Sequence, residues 1–206
     1  MIRSSWTSWQ VRGLGILLTV ALFAGCNGQS PMNGLLPKKQ EPAGPMWEEP
    51  QFSAMRTALQ KAVGGKKRTL SFSLTADSAS IQVQDPAKPE NVDGYEYKDG
   101  EVKGPIPVRL MGPGKLEDSL FDIDQVAIDR IPELTKAALQ KLPLEGGKVL
   151  EVHVGMHEDI KAPDFGSGQM MKVERRIEMR VGLEGARRFG SVFADEKGNI
   201  VRASTA

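Results

Sequence analysis

The chain has 206 residues and a formal charge of +1, with 27 Lys and Arg against 26 Asp and Glu. That balance argues against nucleic acid as a partner, since phosphate binding needs a clustered basic excess. The single cysteine, Cys26, excludes an internal disulfide, so a domain exported from the cell must stand on its hydrophobic core, which a chain of this length can bury.

The first element is an address. Arg3 and Arg12 supply a basic leader, Leu14 to Ala24 an apolar run too short for a comfortable membrane span, and Gly25 leads into Cys26. Residues 1–25 are expected to be a secretory signal, whose loss removes Arg3 and Arg12 and turns the formal charge from +1 to −1. No later run is long enough to span a bilayer. Residues 26–51 hold Pro31, Pro37, Pro42, Pro45 and Pro50 among Gly, Ser, Lys and Glu without hydrophobic periodicity. They read as a flexible tether with a reach on the order of 25–30 Å. Met46 and Trp47 are the exceptions, expected to pack onto the domain.

Phe52, Met55, Leu59, Ala62 and Val63 then recur at helical spacing, between Pro50 at the start and Gly64-Gly65 at the stop. Leu70, Phe72 and Leu74 alternate with polar residues in a half-buried strand, and Ile81 and Val83 do so in a second. Tyr95 and Tyr97 begin a third, and Asp99-Gly100 is a two-residue hairpin signal returning the chain through Val102. Residues 104–117, rich in Pro and Gly, read as a connector, followed by one turn near 125–129. A second helix starts near Pro132, with Leu134, Ala138 and Leu142 as its buried stripe. Leu150, Val152, Val154 and Met156 form one strand face, and Val173, Ile177, Met179, Val181 and Leu183 the next. Phe189 and Phe193 enter a hairpin from which Ile200-Val201 return.

An internal echo runs through this order. Ala58-Leu59-Gln60-Lys61 with Gly64-Gly65-Lys66 recurs as Ala138-Leu139-Gln140-Lys141 with Gly146-Gly147-Lys148. The expected fold class is therefore α+β, as two tandem units, each one helix packed on an antiparallel sheet of about four strands. The first unit takes residues 52–110 and the second 125–206, with 111–124 as connector.

Leu22-Phe23-Ala24-Gly25-Cys26 resembles the lipobox of bacterial lipoproteins. The resemblance implies that Cys26 is lipidated, becomes the mature N-terminus and attaches the chain firmly to a membrane. Asn27 stands where an aspartate is the usual signal for inner-membrane retention, which implies the outer membrane, with the domain facing the periplasm. The element order from Phe52 to Ala206 resembles PepSY-type modules and β-lactamase-inhibitor-protein-like folds, families that include inhibitory and binding modules of the cell envelope. The cysteines that staple the inhibitor proteins are absent here.

Candidate chemistry is sparse. His153 and His157 share one strand face with Glu151, a donor set suited to zinc or copper. Residues i and i+4 on a strand lie about 13 Å apart, so a shared ion needs a bulge, for which Gly155 is the candidate. Glu174, Arg176, Glu178 and Arg180 alternate with apolar residues in an outward charge ladder, either a solvated face or a docking surface. Ser71, Ser73, Gln82 and Gln84 give the first unit an uncharged outer face. The stretch from Glu158 to Met171 is long for a hairpin loop, and its Phe165, Met170 and Met171 suit contact with a protein partner. No Gly-x-Ser-x-Gly elbow, phosphate loop or dinucleotide fingerprint occurs. Asp118, Asp122, Asp124 and Asp129 cluster in sequence, and Asp122 and Asp124 stand near a helix start, where a carboxylate stabilises the positive end of the helix dipole. The expectation is a non-enzymatic, lipid-anchored envelope protein without a cofactor, whose sheet domain binds a protein partner as an inhibitory, scaffold or assembly module. A small-ligand or metal-binding lipoprotein is the alternative, and a hydrolase ranks third.

Overall fold

The structure, a computed structural model, describes residues 44–111, 114–161 and 172–205. The leader, Cys26, Asn27, Phe165, Met170 and Met171 lie outside the described residues. Met46 and Trp47 are buried in the core, so the folded domain begins ahead of the first helix.

Helix α1 (Gln51–Val63) follows Pro50 and buries Phe52, Met55, Leu59 and Val63, the stripe that its spacing requires. Gly64 ends it in the left-handed region at φ 65, where the absent Cβ removes the steric cost, and its N–H bonds back to Gln60. Helix α2 (Ile131–Lys141) carries Pro132 in its first turn and buries Ile131, Leu134, Thr135 and Ala138.

The expectation of two tandem sheet units is corrected by the strand pairing. Nine strands among the described residues form one antiparallel sheet: β1 (Arg68–Leu74), β2 (Ser78–Asp85), β3 (Lys88–Lys98), β4 (Glu101–Pro107), β5 (Phe121–Asp122), β6 (Lys148–Lys161), β7 (Lys172–Glu184), β8 (Phe189–Ala194) and β9 (Ile200–Thr205). Their order is β4-β3-β2-β1-β6-β7-β8-β9, with β5 beside β1. The seam is β1 against β6, where Phe72 faces Val154 and Leu74 faces Val152. Two separate sheets would leave both of these edges with unpaired backbone groups flanked by buried apolar side chains. Pairing them satisfies the backbone and merges the apolar faces beneath both helices into one core, which holds Leu59, Phe72, Leu134, Val154 and Met179 together.

The sequence echo is not a structural one. In α1, Leu59 is buried and Ala58 half-buried; in α2, Ala138 is fully buried and Leu139 half-buried. The two helices thus present faces one residue apart, about 100° of rotation. A second correction concerns Leu150, expected beside Val152. A register shift between Val149 and Glu151 takes Leu150 out of the alternation and leaves it exposed. The connector is also shorter than expected, because β4 runs to Pro107, and 3-10 turns occupy Leu116–Ser119, Ile123–Gln125 and Ile128–Arg130.

Candidate functional site

The longest strands outrun the sheet. β6 and β7 pair continuously from Glu151 opposite Gly182 to Lys161 opposite Lys172. β1 accompanies β6 only as far as Gly155, because β5 takes the next seats on β1 through Phe121 and Asp122. On the other side, β8 accompanies β7 only as far as Met179. Residues 156–161 and 172–178 are left as a two-stranded arm that projects roughly 20 Å at the usual rise per residue. Glu158–Lys161, expected in a loop, is therefore strand.

Alternation gives the arm two unlike faces. One carries Met156 opposite Ile177, then Glu158 opposite Arg175, then Ile160 opposite Val173. Met156 and Ile177 pack against the core, whereas Ile160 and Val173 are 64% and 43% exposed. An apolar stripe thus leads from the core into solvent, beyond the reach of either helix. Arg175 braces this face by donating to Glu158 at 2.7 Å and pairing with Asp118 of the Leu116–Ser119 turn at 3.4 Å. The opposite face is charged. Asp159 and Glu174 stand directly across from one another, an arrangement that repels. Arg176 pairs with Asp159, and Lys172 with Glu174 at 2.9 Å, which offsets the repulsion.

Glu178 sits at the root of the arm. Its alternation with Arg176 and Arg180 matches the outward ladder expected from the sequence, but Glu178 is only 7% exposed. Its burial is made tolerable by cations: Arg176 Nη2 donates at 3.3 Å, and Arg202 Nη2 reaches it from β9 at 3.4 Å. Arg202 is stacked on Phe193, with its guanidinium carbon 3.5 Å from the ring centroid. Arg180 turns the other way and donates to Glu151 at 2.5 Å.

The two histidines have separate partners. His153 Nδ1 lies 2.9 Å from Ser73 Oγ, directly across the β1–β6 seam. Burial, with Arg180 beside it, pushes the His153 imidazole below its ordinary value against the opposing pull of Glu151. The ring lies over Gly155, where a Cβ would come within 3.0 Å of Nε2. His157 Nε2 instead bonds Asp159 at 3.2 Å, and its Nδ1 is 3.8 Å from Glu178. The register past Gly155 is regular, so no bulge draws the histidines together. Among the described residues no group of three His, Cys, Asp or Glu side chains is arranged to hold a metal ion.

Reasoning from sequence alone missed Ile160, Asp159 and Arg202. Ile160 is legible as an apolar residue amid charges, and nothing local marks the other two. No helix of the described residues is long and apolar enough to cross a membrane. Comparison of the chain with family models, curated proteins and solved structures finds no match.

Proposed function

We propose that this chain is a lipid-anchored envelope protein that binds another protein through the β6–β7 arm. The observation that carries the reading is the exposed Ile160–Val173 pair on a ribbon extending past the rest of the sheet. Two strands without neighbours cost conformational entropy to hold in place, and a small apolar patch in a charged surround is the usual character of a contact site. The ion pairs at the root hold the arm in one direction, which lowers the ordering cost on binding. The lipobox at Cys26 supports the anchor, the proline-rich stretch supports a tether, and Asn27 supports delivery to the outer membrane.

The test replaces residues 158–174 with a short Gly-Ser turn in the full chain. Unchanged melting with loss of a specific co-purifying protein is the expected outcome. Retention of that protein by the shortened chain contradicts the reading.

A further inference from the structure

Exposed apolar side chains divide between the two ends of the sheet, and strand pairing fixes which end is which. The β1–β2 turn, the start of β6 and the start of β8 lie at one end, with exposed Leu150 and Phe189. The chain joins the domain there, since the Met46 N–H donates to Ala76 of the β1–β2 turn at 3.0 Å. The arm leaves from the opposite end, and β4 runs toward that end too. Ile106 lies on the transverse row through Gly94, Gln82, Ser71 and Gly155, the last being where the arm departs. Four strand spacings, about 19 Å, separate β4 from β6.

Beyond β4 the Val108 N–H still donates to Val92 at 2.9 Å, and then Leu110 and Met111 follow, 41% and 86% exposed. Pro105 and Pro107 lack the N–H that an added strand would need, so a partner meets this edge through side chains. Arg109, exposed between Val108 and Leu110, has no ion-pair partner among the described residues. The chain then returns to the arm. Leu116 is half-buried in the Leu116–Ser119 turn, and Asp118 of that turn pairs with Arg175. Arg175 shares the arm face that carries Ile160 and Val173, so the turn meets the arm on its apolar side. Seven residues separate Met111 from Asp118, which holds them within about 25 Å of each other.

A stable protein contact buries about 800 Å2 on each side, on the order of 20–30 residues. The arm offers one exposed apolar pair, and its charges are largely matched among themselves. The pair alone falls far short of that area. Leu110 and Met111 supply a second patch at the same end, joined to the arm by the bracing turn. Val201, on the β9 flank, stands singly, as exposed apolar residues commonly do. We propose, taking the arm as the contact element, that one partner protein covers both patches at once. Its surface packs apolar side chains on Ile160 and Val173 and, about 20–25 Å away, on Leu110 and Met111, with a carboxylate facing Arg109.

Photocrosslinking of the full chain in cells tests this, with a photoreactive residue placed in turn at Ile160, Met111 and Phe189, all exposed positions. Adducts of the same mass from Ile160 and Met111, and none of that mass from Phe189, are expected. Val173→Asp should lower the Met111 adduct at least about tenfold. Leu110→Asp, and separately Arg109→Glu at a position outside the core, should lower the Ile160 adduct as much, with the melting temperature unchanged. An Ile160 adduct that survives either substitution, a Met111 adduct that is absent or of different mass, or the same adduct from Phe189 overturns the two-patch contact and leaves the arm reading standing. Absence of any adduct from Ile160 removes both.

Discussion

Val154→Ala tests the seam on which the single sheet depends. Val154 is fully buried on β6, opposite Phe72 of β1. The substitution removes the equivalent of two methylenes, about 1.6 kcal/mol by transfer, and the cavity left behind brings the cost to about 2–3 kcal/mol. In a domain of this size that lowers the melting temperature by roughly 4–10 °C. The assay follows two signals through one thermal scan. With Trp6 and Trp9 replaced by phenylalanine, Trp47 is the only tryptophan and reports from the α1 side of the core, while far-UV circular dichroism reports the whole sheet. A continuous sheet melts as one unit, so both signals should fall together and move by the same amount. A Trp47 transition that stays in place while the dichroism shifts, or a two-step melt, would show that the halves fold independently and would refute the seam.

Two further outcomes follow from the packing. Leu59→Ala should cost about 2–5 kcal/mol, since Leu59 is 4% exposed, whereas Leu139→Ala at its half-buried site should cost less than half as much in urea denaturation; equal costs would restore the helix equivalence that the structure denies. The lowered pKa of His153 makes the unfolded chain the stronger proton binder just below the ordinary histidine value of 6.5. Stability from this group is therefore full above that pH and falls as acid takes the chain below it. His153→Gln should flatten that part of the stability–pH curve, and an unaltered slope would mean that the imidazole is not desolvated across the seam.

Local structure was legible wherever one period decided it. Phe52, Met55, Leu59 and Val63 mark α1 because a helix needs one apolar stripe, and Asp99-Gly100 marks the β3–β4 turn because both residues adopt positive φ, 53 and 84. Pairing between strands distant in sequence was not legible. Alternation says which side chains face inward but not which edge meets which, so β1 and β6 read equally well as the edges of two sheets. Glu178 shows the same limit. Its alternation matches that of Arg176 and Arg180, and its burial depends on Arg202, two strands away on β9. Val173 shares the parity of buried Met179, yet it lies on the arm where no helix covers it.

The account rests most directly on the arm as the contact element, and in-cell photocrosslinking tests it there. A photoreactive residue at Ile160 is compared with one at Val201, another exposed apolar position, on the edge strand β9. The account predicts a discrete protein adduct from Ile160 that disappears when Val173→Asp is added, with no such adduct from Val201. No adduct from Ile160, or the same adduct from both positions irrespective of Val173, would contradict it.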